Sequence, residues 1–139
     1  MPAKDLYHDT VVQALIKDGW EITNYPFVLS YGGRELYVDL GAEKKAIAAQ
    51  KGDRKIAVEI KSFLRPSPVR DLEEAAGQYG VYQSILTEIA PERKLYLAVP
   101  KRSYETIFSE KLGQLIIKRL QIQLLVFDEE QARIVQWIP

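Results

Sequence analysis

Residues 55–100 constrain the fold more tightly than any other part of the chain. They hold two apolar strand runs, "KIAVEIKSF" (55–63) and "KLYLAVP" (94–100), with a long helical stretch over about 68–89 between them. Ser67 suits the N-cap of that helix and Pro68 its first position, while Asp71, Glu73 and Glu74 suit the positive end of its dipole. A connection of this kind carries the chain across a sheet, so these strands belong to an α/β arrangement with helical crossovers.

The flanking segments extend the pattern. Residues 4–19 read as a helix with Leu6, Val11, Val12, Leu15 and Ile16 on one stripe and Gly19 as the stop. Residues 20–25 and "PFVLSY" read as short extended pieces, and Gly32-Gly33 as a turn. In 35–43, "ELYVDLGAE", Leu36, Val38 and Leu40 fall on one face of a strand and Tyr37 and Asp39 on the other. A hairpin around Gly52-Asp53 leads into the 55–63 strand. Residues 102–119 read as helical with a break near Gly113, and 121–128 and 132–138 as two closing strands. The expected architecture is one mixed α/β domain spanning 1–139, with early strands that meander and later ones joined by helices.

Composition narrows the function classes. At 139 residues the chain is long enough for one sizeable core, and 47% hydrophobic with 27% charged residues is ordinary for a globular protein. The absence of cysteine removes disulfides and thiolate metal sites. The start, "MPAKDLYHDT", has no apolar signal region, and no run approaches a membrane span, so a cytoplasmic protein without membrane contact is expected. Nineteen basic and 19 acidic residues give zero net charge, which argues against broad electrostatic binding of nucleic acid. Any DNA contact would rest on a local basic patch or on a partner.

The 55–63 strand poses a problem for a core strand, because it carries Glu59 and Lys61. Both project to the face opposite Ile56, Val58 and Ile60, about 7 Å apart at roughly 3.3 Å per residue. Asp39 joins them if its strand lies alongside. Two carboxylates and a lysine fit a hard divalent cation such as Mg²⁺, which uses one or two carboxylates and fills its shell with water and phosphate oxygens. Such a cation polarises a phosphodiester and acidifies a bound water, and the lysine orients that water or stabilises charge on the phosphate. Spacing alone equally fits an exposed ion pair worth about 0–1 kcal/mol. On the following helix, Gln78 and Tyr82 share a face at i and i+4. Tyr82 also falls on an apolar stripe with Leu72, Ala75, Tyr79 and Leu86, which leaves Gln78 at the stripe's edge, a costly place for an unpartnered amide.

An acid on one strand, Glu-x-Lys at the end of the next, and Gln-x-x-x-Tyr on the next helix together resemble the PD-(D/E)XK (restriction-endonuclease-like) nuclease superfamily. The likeness is to its branch of exonuclease-like and recombination nuclease domains. It implies that Asp39, Glu59 and the Ile60 carbonyl bind Mg²⁺ or Mn²⁺, with Lys61 as the catalytic lysine. Gln78 and Tyr82 would contact substrate phosphate or the metal shell, and Asp9, on the first helix, would add a further acid. His8 beside it has the alternative of an ordinary helix-surface or core-edge residue. The chain departs from the pattern in having Val38 rather than proline before Asp39. Nineteen residues between Asp39 and Glu59 require an extra hairpin strand, and Glu43 could compete with Asp39 or join it.

A second likeness covers nearly the whole chain. "KDLYHDTVVQALIKDGWEIT", "YVDLGAE", "KIAVEIKSF" and "LYLAVP", in this order, resemble the XisH-type family of cyanobacterial fdxN-element excision controlling factors. The resemblance implies a role in programmed excision of a DNA element during heterocyst differentiation, together with a companion of the XisI type. Three readings remain open: a metal-dependent deoxyribonuclease, a nuclease-like interaction protein that works through its companion, and a DNA-binding factor without hydrolysis. Arg65 and Arg70 flank the loop after Lys61 and either meet phosphates or are solvated loop charges. Lys101-Arg102 and Lys118-Arg119 read as helix-end charges, and Trp20 and Trp137 as core or interface anchors. The terminal "IVQWIP" fits an interface with a partner or with a second copy of the chain.

Overall fold

The computed structural model describes residues 6–44 and 54–139. Helix α1 (His8–Lys17) is followed by strands β1 (Glu21–Asn24), β2 (Phe27–Tyr31), β3 (Arg34–Val38), β4 (Leu40–Lys44) and β5 (Arg54–Ile60). Helix α2 (Pro68–Ile89) crosses to β6 (Lys94–Pro100). Helix α3 (Lys101–Glu105), a 3-10 turn (Ile107–Ser109) and α4 (Lys111–Leu120) then lead to β7 (Leu124–Asp128) and β8 (Arg133–Ile138).

The expected mixed α/β class holds. Six strands form one mixed sheet in the order β1-β4-β5-β6-β7-β8, with β5, β6 and β7 parallel and the other pairs antiparallel. Both helical crossovers step in the same direction across the sheet, so their common right hand places them on the same face. There Leu72, Ala75, Tyr79 and Leu86 of α2, with Ile107 and Phe108 of the 3-10 turn, pack on Leu95, Leu97, Val99, Leu124 and Val126. Helix α1 covers the other face, where Val11, Leu15 and Trp20 meet Leu40, Ile56, Val58, Ile60, Tyr96 and Phe127. Strand β5 is thus covered on both sides and is buried without interruption from Ile56 to Ile60. Trp20 is a core anchor, and half-buried Trp137 packs against it with ring centroids 5.6 Å apart and lies 4.9 Å from Tyr96.

Four expectations change. The 35–43 strand is two strands divided at Asp39, because β3 pairs with β2 in a separate ribbon while β4 enters the main sheet. Val38 and Leu40 therefore pack into cores on opposite faces of the sheet. The buried stripe of α1 runs through His8, Val11, Ala14 and Leu15, while Leu6 and Ile16 are exposed. The break in the 102–119 segment falls at Thr106–Glu110 rather than at Gly113. Gly113 instead lies inside α4 against the 3-10 turn, where a Cβ would sit 2.1 Å from the Ile107 carbonyl oxygen. The Gly52-Asp53 turn lies outside the described residues, but β4 and β5 pair antiparallel from Leu40↔Val58 to Lys44↔Arg54, the hairpin that the long spacing requires.

Candidate functional site

The site begins where the ribbon hands over to the sheet. Leu40 stands opposite Val58, so the preceding residue, Asp39, comes level with Glu59. Asp39 has left the β3 ladder and uses its side chain instead: Oδ2 accepts the Ile60 N–H at 2.7 Å. Its own N–H faces Glu59 Oε1 at 3.3 Å. In a strand the carbonyl of a residue leaves on the same side as its N–H, so Ile60 also turns its carbonyl toward Asp39. Asp39 and Glu59 thus meet at the carboxyl end of the central strand, the end where open α/β sheets bind ligands.

Burial and mutual repulsion govern the charge of this pair. Glu59 is 7% exposed, and its carboxyl is pushed up to about 9, first by burial and then by the Asp39 charge. The Asp39 N–H and the Lys61 ammonium oppose that shift only in part. Like charge placed beside a buried carboxyl disfavours ionisation of Glu59, and a bound cation would relieve that cost.

The remaining residues fall into place unevenly. Tyr82 on α2 is buried, and its hydroxyl is pushed up to about 12 by burial and by the charges of Glu59 and Asp39, so it remains a hydrogen-bond donor. Gln78, one turn nearer the start of α2, has a buried Oε1 with no hydrogen-bond partner. Lys61 shares the Glu59 face, but its ammonium is bonded to Glu74 of α2. Arg65 bonds Glu74 at 2.6 Å and Asp71 at 2.5 Å, whereas Arg70 is an exposed residue of the first turn of α2.

Asp9 does not join the pair. It is exposed, about 100° around α1 from its neighbour His8, and it is His8 that faces inward. His8 is 6% exposed; its Nε2 lies 3.0 Å from Asp39 Oδ1 and its Nδ1 2.9 Å from the Tyr25 hydroxyl. The ring thus bridges the Asp39 carboxylate and the Tyr25 hydroxyl through its two nitrogens. Glu43 stands apart as well, in the part of β4 beyond Ala42, where Arg93 lies 3.7 Å away. Arg102 is more than a helix-end charge, since its guanidinium donates to the carbonyls of Ser62 (2.5 Å) and Phe63 (3.1 Å). It thereby holds the turn after Lys61, where Phe63 adopts a φ of 55°. A groove of about 740 Å³ between Arg93 and Lys118 lies away from this constellation and includes neither Asp39 nor Glu59.

The fold and the site define a mixed α/β protein with a closely placed Asp–Glu pair at the carboxyl end of a doubly covered central strand. The family model described as "XisH protein" matches residues 1–135, and the chain belongs to the XisH family. An XisH family protein from Nostoc punctiforme PCC 73102 has a similar crystal structure, with a TM-score of 0.87 and 43% identity over 97% of this chain and 100% of that one. A fdxN element excision controlling factor protein from Anabaena variabilis is also similar, with a TM-score of 0.86 and 41% identity over 98% of this chain and 100% of that one. No curated protein matches.

Proposed function

We propose that the chain is an accessory factor for programmed excision of a DNA element, with a metal-dependent phosphodiesterase site of the PD-(D/E)XK type. The excision role is supported by the name of the similar protein from Anabaena variabilis. One observation carries the chemistry: Asp39, at the break between β3 and β4, brings its N–H within 3.3 Å of Glu59 Oε1, so two carboxyl groups stand together at the end of β5 where a divalent cation would relieve their repulsion.

The donor set fits Mg²⁺ or Mn²⁺. Among the described residues no group of three or more His, Cys, Asp or Glu side chains forms a cage. A hard cation of this kind needs only one or two carboxylates, with water and phosphate completing its shell. Asp39, Glu59 and the Ile60 carbonyl would hold it, and when bound it would acidify a water and neutralise phosphate charge. His8 keeps Asp39 oriented through the 3.0 Å contact. Lys61 steadies the attacking water or the phosphate once released from Glu74. The Tyr82 hydroxyl, still protonated, could donate to a phosphate oxygen, and the unpartnered Gln78 oxygen could accept from a water beside a bound cation.

The test is Mn²⁺-dependent cleavage of linear and circular DNA, with and without the XisI-type companion, using Lys61→Ala as control. Cleavage that disappears in the variant supports the reading. Equal cleavage by both proteins refutes the role of Lys61. Zero net charge favours a second reading, in which the same fold acts through the XisI-type companion without cutting. Companion binding with no cleavage under any of these conditions would favour it.

A further inference from the structure

Lys61 and Arg65 leave the end of β5 and the loop behind it, and both reach the same carboxylate. Glu74 Oε1 takes the Lys61 ammonium, and Glu74 Oε2 takes Arg65 Nη2 at 2.6 Å. One negative charge spread over two oxygens, each facing a separate cation, is also the pattern that the two non-bridging oxygens of a phosphodiester present. The cations hold Glu74 well below the usual carboxylate range, Lys61 contributing most and Arg65 next.

The two acids that hold Arg65 differ in accessibility. Asp71 is 3% exposed and bonds Arg65 Nε at 2.5 Å from within the fold, whereas the Glu74 side chain is 40% exposed. Removing Asp71 from Arg65 would strand a buried charge that already has one unpartnered oxygen, which is costly. Glu74 loses little by swinging into water. Asp71 therefore keeps the guanidinium in place when Glu74 departs, and the cradle outlasts its occupant.

We infer that Lys61 and Arg65 form an oxyanion cradle for a phosphate group, and that Glu74 is its built-in occupant, which an incoming phosphate displaces. This rests on the placement of substrate phosphate beside Lys61 under the proposed function, and it adds a gate to that site. With Glu74 in place Lys61 is held on α2, and arrival of the phosphate frees it to serve the Asp39–Glu59 pair.

The experiment compares wild type, Glu74→Gln and Glu74→Asp without added metal, so that no cleavage occurs. One arm measures binding of inorganic phosphate by calorimetry, and the other binding of a fluorescent 20-base-pair duplex by anisotropy at several salt concentrations. Thermal melts check that each variant is folded. Phosphate should bind Glu74→Gln about tenfold more tightly than wild type, because two charge-assisted bonds no longer face an internal competitor. Glu74→Asp, whose shorter arm cannot span both cations, should fall between, and it carries the test alone if Glu74→Gln fails to fold. If the duplex arm tightens too, with a log–log salt slope steeper by about 0.9 per freed cation, the phosphate comes from DNA. Tightening of phosphate alone supports the cradle and counts against the DNA reading. No tightening of phosphate in either folded variant overturns the cradle, whatever the cleavage assay gives.

Discussion

Glu59 is the residue at which burial, charge and the proposed chemistry meet. Its folded-state carboxyl is raised from 4.5 to about 9, so the folded protein holds a proton that the unfolded chain has released between those values. The contribution of this group to stability is intact below about pH 4.5 and declines as pH climbs toward 9. Glu59→Gln cannot ionise and escapes that decline. In chelator at pH 8 it should melt at least about 3 °C above wild type, roughly what 1 kcal/mol gives for a chain this long, with the gap closing toward pH 5. An ion pair with Lys61 as the main role of Glu59 requires the opposite sign at pH 8. Adding Mn²⁺ at pH 8 should raise the wild-type melting temperature and leave the variant unmoved. His8→Ala removes a buried ring that lies 3.0 Å from Asp39 Oδ1 and 2.9 Å from the Tyr25 hydroxyl. It should cost about 1–3 kcal/mol in urea unfolding and weaken Mn²⁺ binding by roughly 10–100-fold in calorimetry. Unchanged Mn²⁺ affinity would remove His8 from the site.

Gly113 sets the join between α4 and the 3-10 turn at the scale of elements. Its missing Cβ would strike the Ile107 carbonyl and the Phe108 Cα, backbone atoms that cannot give way as a flexible side chain would. Gly113→Ala should therefore lower stability by about 1–3 kcal/mol despite the better helix propensity of alanine, as a denaturant titration would record. Elements with local punctuation were legible in the chain. Helix α2 starts at Pro68 behind a Ser67 hydroxyl that accepts the Arg70 N–H, and β6 spans Lys94–Pro100 as its apolar run indicates. Elements shaped by distant partners were not. The division at Asp39 arises because the ribbon and the sheet claim opposite ends of one apolar run. The inward turn of His8 depends on Asp39 and Tyr25, which distant parts of the chain bring to it, and reading Leu6 into the stripe rotated the helix away from them. Its i, i+3, i+7 spacing with Val11 and Leu15 was the available signal. The shared face of Gln78 and Tyr82 followed from helix periodicity, whereas Asp39 reaches Glu59 from the break between β3 and β4 rather than from within a continuous strand. The capture of Lys61 by Glu74 was not legible either, because the loop between β5 and α2 sets it.

For the whole molecule, equal numbers of acidic and basic residues mean that no general field draws a polyanion in. The cations that can meet phosphate beside the proposed site are Lys61, Arg65 and Arg70. The log–log salt slope of duplex binding by wild type should be no steeper than about −3, which anisotropy from low to moderate salt would measure. A slope near −6 would place a second, larger contact surface elsewhere on the molecule. Among the described residues no helix is long and apolar enough to cross a membrane. The β2–β3 ribbon joins the main sheet through two links, Tyr25-Pro26 after β1 and Asp39 before β4, and the second gives the ribbon a thermodynamic connection to the acidic pair. The Asp39 backbone is one of those links, while its carboxylate holds the Ile60 amide and His8. Any ligand of the ribbon that favours one setting of this joint changes the affinity of whatever the carboxylate holds. By reciprocity, occupancy of the pair changes the ribbon's affinity for its ligand by the same factor.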